Sequence, residues 1–250
     1  MKKIAIIGFG TIGKKLYEQI NKEHLLEVLF IYDPKGEVPS PIALPNRPSG
    51  VDFAKVDLVV EVAVSQVVEE YGVEIVKHTD FMPFSITALA NQNLFNEITQ
   101  KASAHQHQLF VPHGAILGLD GIFDGRTLFD QVQIVTIKNP KSLGRNDLER
   151  TVVYEGNVRN VAALMPRNVN VHAALALAGV GFDHTKSVLI SDPDTKENMH
   201  IISASSSDIV IEIVSKSNPI GAVTGAFTPV SAYGSIKRAL GIFEKGVTVV

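Results

Sequence analysis

The run Lys3-Ile4-Ala5-Ile6-Ile7 followed by Gly8-Phe9-Gly10-Thr11-Ile12-Gly13 constrains this chain more than any other feature. A short apolar, β-branched segment suits a strand buried on both faces, and the glycines open the helix that follows. Glycines at this spacing have separate jobs: Gly8 permits the tight turn, Gly10 lets a pyrophosphate approach the backbone, and Gly13 lets helix and sheet pack closely. The helix N-terminus, with Thr11 and Ile12 in its first turn, presents free N–H groups and the positive end of its dipole to phosphate.

Asp33 follows about 20 residues later, at the end of a second predicted strand, Leu26 to Tyr32. Its carboxylate can accept the ribose hydroxyls of an adenosine and would repel a 2′-phosphate, so NAD is expected. Lys35 nearby keeps NADP as the alternative cofactor. A third strand, Asp57 to Ala63, completes the cofactor-facing set: Gly8, Gly10, Thr11, Ile12, Gly13, Asp33 and Ala63. Further alternation is expected, with a helix near Ser65 to Lys77, a strand at Phe81 to Ile86, a helix near Gln92 to His105 and a strand at Leu109 to Val111. That order predicts an α/β, Rossmann-type doubly wound parallel sheet.

After Gly114 the rhythm changes. Strands are expected at Gln131 to Ile137, Thr151 to Tyr154, Lys186 to Ile190, His200 to Ser205 and Ile209 to Val214, with two convincing helices between them. This predicts a second, antiparallel α+β domain for catalysis and dimerisation. A last helix, with Thr228 as N-cap, Pro229 in its first turn and Ile236, Leu240 and Phe243 on one face, is expected to return to the first domain. The expected domains are therefore 1–113 plus 228–250, and 114–227.

Composition narrows the function classes. With 23 basic against 26 acidic residues, the net charge of −3 gives no bulk attraction to nucleic acid or to an anionic membrane. The absence of cysteine excludes disulfides and thiolate chemistry. No stretch approaches the roughly 20 continuous apolar residues of a membrane helix, and a cytoplasmic location is expected. Histidines and carboxylates do not fall at metal-ligand spacing on one element, so no metal is expected.

If the first domain holds a nicotinamide cofactor, the second must manage the substrate's proton and hold its carboxylates. His200 is a candidate proton acceptor, because an unperturbed imidazole titrates at about 6.5; from spacing alone it could equally be a loop histidine opening a strand. His24, His78, His105 and His107 are expected at the surface. Asn168 and Asn170 precede an apolar helical stretch, where capping competes with pairing to a nicotinamide amide. Lys141 and Arg167 could hold a carboxylate, whereas Lys138 is expected to be solvated.

Several blocks in order resemble the L-aspartate dehydrogenase family. They are the Gly8, Gly10, Gly13 fingerprint; Pro112-His113-Gly114-Ala115-Ile116-Leu117-Gly118-Leu119-Asp120; Lys138-Asn139-Pro140-Lys141-Ser142-Leu143; Tyr154-Glu155-Gly156; Pro166-Arg167-Asn168-Val169-Asn170-Val171; and Asp192-Pro193 leading to Asn198-Met199-His200. The resemblance implies that His200 is catalytic and that Ala115 and Asn170 touch NAD near its nicotinamide half. It also implies a homodimer that oxidises L-aspartate to iminoaspartate, linked to NAD biosynthesis. His113 stands where the family usually has a small residue, and Leu117 where it has glycine. His113 is accordingly expected to narrow the pocket or to contact a substrate carboxylate. The alternatives are a dehydrogenase or reductase of another small dicarboxylate or imine, and a nicotinamide-binding sensor without turnover.

Overall fold

In the computed structural model, which describes residues 1–220, 224–243 and 246, the first predicted strand is β1 (Lys2–Ile7). Helix α1 (Thr11–Glu23) leads from it to β2 (Leu26–Tyr32), and the chain then passes through the short α2 (Gly50–Phe53) to β3 (Leu58–Glu61). Helix α3 (Ser65–Val76), strand β4 (Asp80–Pro83) and helix α4 (Gln92–His105) continue the alternation. All pairings are parallel, in the order β2-β1-β3-β4. Because β1 is central, Ile4, Ala5 and Ile6 are fully buried, as an unbroken apolar run requires. The winding reverses at β1, with β2 on one side and β3 on the other, which opens a crevice beyond the strand ends where Gly8, Asp33 and Ala63 lie.

Two strand expectations need correction. The segment expected to run from Phe81 to Ile86 stops at Pro83 and turns into a 3-10 helix, Ile86–Ala90. Pro83 ends an edge strand, where its missing N–H costs little. Leu109 to Val111 contributes a single bridge, Phe81 to Leu109, because Pro112 cannot donate to extend the ladder.

The chain divides into two compact units: Met1–Phe84, Asn93–Pro112 and Pro229–Val250 form one, and Ser85–Gln92 with His113–Thr228 form the other. The strand-helix rhythm places Ser85–Gln92 in the first domain, but its 3-10 turn packs on the helices of the second unit. The second unit contains α5 (Leu119–Asp124), β5 (Gln131–Lys138), β6 (Thr151–Asn157), α6 (Val158–Leu164), α7 (Asn170–Ala178), β7 (Thr185–Ser191), β8 (Asn198–Ser205) and β9 (Val210–Ser217). Its sheet has the order β6-β7-β5-β8-β9. It is mixed and not antiparallel throughout, since β5 and β7 run parallel. The long connection through β6 and two helices lets the chain re-enter the sheet in the direction of β5. Two α-helices, α6 and α7, lie between its strands as expected, and α5 precedes the first of them.

Strand alternation then decides the chemistry of one sheet face. On β5 it carries Val132, Ile134, Thr136 and Lys138; on β7, Thr185, Ser187, Leu189 and Ser191; on β8, Asn198, His200, Ile202 and Ala204. All twelve are buried. Helix α7 packs on β5 and β7, and α6 on β7. The face is apolar at one end and polar at the other.

The last helix, α8 (Thr228–Ala239), has Pro229 in its first turn as expected. Ala232, Tyr233 and Ile236 join the core that holds Ile4, Ile6, Leu16, Ile20 and Leu58. The Tyr233 hydroxyl donates to Glu23 Oε2 at 2.9 Å. Phe243 departs from the expected face: it lies past the helix end and is exposed. Ile236→Ala should cost about 2–5 kcal/mol of unfolding free energy, read as a lower denaturant midpoint with unchanged slope.

Candidate active site

The first unit's crevice is built mostly from backbone. Gly8 has φ +104°, and a Cβ there would lie 2.9 Å from Ala63 Cβ and from the Val62 carbonyl. At Gly13 a Cβ would drive into the Gly8 carbonyl oxygen. Gly10 differs, since a Cβ there would meet nothing within 4 Å. Packing within the protein therefore does not demand glycine here, and the open space fits close approach of a phosphate. Gly10 is also the N-cap of α1; no side chain caps that end, and its first turn carries no acid, so its N–H groups suit an anion.

Asp33 is fixed by three backbone donors. Phe9 N–H reaches Oδ2 at 2.7 Å, while Lys35 and Gly36 N–H both reach Oδ1 at 2.9 Å. A carboxylate offers about four acceptor positions, so the remaining capacity is on Oδ2. Beside it an open cleft of about 370 Å³ is lined by Ile7, Gly8, Tyr32, Asp33, Ala63, Arg47 and Tyr71, among others. Arg47 stacks over Tyr71 at 5.8 Å, donates to its hydroxyl at 3.0 Å and pairs with Glu70. Glu61, fully buried, holds the turn after β3: Oε1 accepts from Ala63 N–H at 2.6 Å and Oε2 from Phe84 N–H at 3.2 Å.

The second unit supplies side-chain chemistry at the polar end of its buried sheet face. Thr136 on β5 and His200 on β8 are direct cross-strand partners. The Thr136 hydroxyl lies 2.8 Å from His200 Nδ1 and 2.6 Å from His172 Nε2, and His172 Nδ1 lies 2.7 Å from Ser187 Oγ. Helix α7 can bring His172 so close because its sequence, NVHAALALA, combines good helix formers with small side chains. Thr136, His172 and Ser187 are fully buried, and His200 nearly so.

Lys138 corrects the expectation of a solvated lysine: it is only 4% exposed, on the same sheet face two residues from Thr136. Burial lowers its ammonium to about 8. Burial first, and then the charge of Lys138, lower His200 to about 3. His172 is held well below the ordinary histidine range by burial, with His200 and Lys138 adding to it. At neutral pH the site therefore contains two neutral imidazoles and one ammonium.

The capping reading of the two asparagines does not hold. Val169 is the N-cap of α7, without a side-chain cap bond. Asn170 Oδ1 instead accepts from Thr87 N–H at 3.2 Å and lies 3.1 Å from the Thr87 hydroxyl, which is also 3.1 Å from the Pro166 carbonyl. The Thr87 N–H can only donate, which fixes the Asn170 amide orientation and makes Nδ2 its outward donor. Asn168 Oδ1 is buried with no hydrogen-bond partner, so a donor is needed there. Lys141 and Arg167 are both exposed, and His113 is half-buried. The Ala115 carbonyl accepts from Ser215 Oγ at 3.3 Å. Leu117 points outward, and its backbone stays out of the left-handed region that Gly114 and Gly118 adopt, so it replaces a glycine without strain. Among the surface histidines, His107 Nδ1 lies 2.9 Å from the Val76 carbonyl and His78 pairs with Glu74 at 3.1 Å. Sequence reasoning missed His172, Thr136 and Lys138; the alternation of buried positions on β5 was the signal for the last two.

Comparison with known proteins decides the family. Residues 124–239 match the family model "Aspartate dehydrogenase, C-terminal", and residues 8–112 match "Homoserine dehydrogenase, NAD binding domain". An L-aspartate dehydrogenase of Thermotoga maritima is 35% identical over 205 residues, covering 81% of this chain and 82% of that protein. One from Nitrosopumilus maritimus is 30% identical over 227 residues, covering 82% and 84%. The chain belongs to the L-aspartate dehydrogenase family. The crystal structure of the Thermotoga maritima aspartate dehydrogenase superposes with a TM-score of 0.82 at 30% identity over the full length of both chains. A hyperthermophilic archaeal homoserine dehydrogenase solved with NADPH shares the fold, with a TM-score of 0.61 at 14% identity. The first unit is thus the NAD(P)-binding domain of an L-aspartate dehydrogenase-like enzyme, and its glycines, helix terminus and Asp33 fit a dinucleotide. Among the described residues, no cluster of His, Asp or Glu could hold a metal, and no helix is long and apolar enough to cross a membrane.

The two glycines should separate stability from binding. Gly8→Ala is expected to destabilise the fold by about 2 kcal/mol or more through strain and overlap, whereas Gly10→Ala should keep the melting temperature and weaken NAD binding in titration calorimetry. Lys138→Met supplies a pH test. An ammonium lowered from 10.5 to about 8 costs stability in full below pH 8, and the cost disappears as pH rises toward 10.5, where the unfolded chain also loses the proton. The stability gap between Lys138→Met and wild type should therefore shrink by about 3 kcal/mol between pH 7.5 and 10.5, measured by denaturant unfolding.

Proposed function

We propose that this chain catalyses the NAD-dependent oxidative deamination of L-aspartate to iminoaspartate, which hydrolyses to oxaloacetate and ammonia. The observation that carries the proposal is the neutral, buried His200 beside the Lys138 cation, in a chain of the L-aspartate dehydrogenase family. When bound, NAD supplies the acceptor for the hydride that leaves the substrate α-carbon. The amine must lose its extra proton before that hydride can leave. His200 Nδ1 is engaged by Thr136, so Nε2 is the nitrogen that takes the proton. Lys138 balances a substrate carboxylate, and the dicarboxylate's negative charge raises the basicity of the imidazole from its depressed value. Asn168 Oδ1, buried without a donor, accepts from the substrate ammonium.

Gly8, Gly10, Thr11, Ile12 and Gly13 would hold the cofactor's pyrophosphate, and Asp33 with Ala63 its adenosine half. The fixed carboxylate of Asp33 at the cleft favours NAD over NADP, because Arg47 on the same cleft is already paired with Glu70. Ala115 and the outward Nδ2 of Asn170 would meet the nicotinamide half. His113, Lys141 and Arg167 complete the proposed substrate set, with the two exposed cations serving capture more than catalysis. The exposed Val152, Val210 and Val214 on the two edge strands of the second sheet support a homodimer. The link to NAD biosynthesis rests on the family resemblance.

Purified protein with NAD⁺ and L-aspartate at alkaline pH should produce NADH. His200→Ala should lower kcat on the order of 10²- to 10⁴-fold while NAD affinity stays unchanged. Intact NAD binding without NADH from aspartate or its near relatives would reverse the assignment in favour of a sensor.

A further inference from the structure

His200 does not meet its surroundings alone: a continuous chain of hydrogen bonds runs from its Nδ1 through Thr136 and His172 to Ser187, with every member buried. The Thr136 hydroxyl has one hydrogen and two imidazole nitrogens within 2.8 Å, so it donates to one ring and accepts from the other. Both rings are neutral, for burial and the Lys138 charge lower each of them. A neutral imidazole carries a single N–H, and the tautomers of the two rings are therefore slaved to each other. If Thr136 donates to His200, then His200 has its proton on Nε2 and no lone pair with which to take another. If Thr136 donates to His172 Nε2, it accepts from His200 Nδ1–H, and His172 carries its own proton on Nδ1, toward Ser187.

We propose that Thr136 and His172 are positioning residues that lock His200 as its Nδ1–H tautomer and thereby reserve Nε2 as the base. The inference rests on the functional reading of His200 and extends it to residues in contact with neither substrate nor cofactor. Three geometric facts carry it. The β5–β8 register places Thr136 directly opposite His200 and aims Nδ1 at the hydroxyl. His172, fully buried, has an oxygen partner on each nitrogen, so its ring is held in place at both ends. Lys138 is buried two residues along the same face of β5 as Thr136, and a cation held on that face disfavours a further N–H presented to it. When Nε2 takes the substrate's proton, the ring becomes cationic with Nδ1–H still donating to Thr136, and no member of the chain has to turn.

The tautomers can be read without turnover by nitrogen NMR of the full chain with ¹⁵N-labelled histidine, assigning His200 and His172 by the signals lost in His200→Gln and His172→Phe. In the wild-type protein both rings should show a protonated Nδ1 and a bare Nε2. Thr136→Val, which keeps the side-chain shape, should shift His200 toward the Nε2–H form. It should also lower kcat for aspartate on the order of 100-fold without changing the KM for NAD, and Thr136→Ser should restore both readouts. A wild-type His200 protonated on Nε2, or a Thr136→Val enzyme with full kcat, would overturn the proposal. The predicted tautomers without NADH from aspartate would instead remove the functional reading and leave the locked chain standing.

Discussion

The Thr136 hydroxyl between two buried imidazoles is the interaction on which the proposed chemistry of the second unit depends. It exists because β5 and β8 pair in a register that sets Thr136 against His200, and because α7 lays His172 on the same face. A slip of one residue in β8 would turn His200 to the opposite face and replace it with an isoleucine or a methionine. Burying polar groups is unfavourable unless their hydrogen bonds are made. Ser187, His172, Thr136 and His200 satisfy one another in a line, so the sheet accepts them in its interior. Lys138 is the expensive member, an ammonium kept out of water beside two neutral rings.

The two units divide the work by the kind of group they use. The first relies on backbone: a positive-φ turn that favours glycine, a helix terminus without a cap, and an aspartate immobilised by three N–H groups. These features suit the part of a dinucleotide that never reacts, for which fixed geometry is enough. The second unit relies on side chains whose protonation is adjustable, drawn from three strands and one helix. Burial shifts all three titratable members in the direction of the neutral form. The reacting charges can then be brought in by the substrate itself.

Much of the first unit was legible from pattern. The apolar run Lys3 to Ile7, the glycine spacing and Asp33 located β1, α1 and the end of β2, since each signal is local and backbone-driven. The strands of the second unit were also legible, to within a few residues at their ends. What pattern could not show was pairing: the parallel β5–β7 contact made the sheet mixed, and Pro83 shortened β4 and released Ser85–Gln92 to the other unit. For Asn168 and Asn170 the pattern left capping and pairing to a nicotinamide amide both open, because capping is a common use of asparagine before a helix, and Thr87, far away in sequence, claims Asn170.

The sequence by itself determined that the chain binds a dinucleotide, that a second domain follows, and, through ordered motifs, which family it resembles. These follow from residue types at short spacing, where glycine conformation, strand alternation and helix periodicity act locally. Only the tertiary structure decided which residues stand around His200. Thr136, His172 and Ser187 lie far from it and from one another in the chain, and Lys138 looks like any surface lysine until its strand is buried. Their proximity is a product of strand order and register, and register is set by the burial of whole faces, which no single motif encodes.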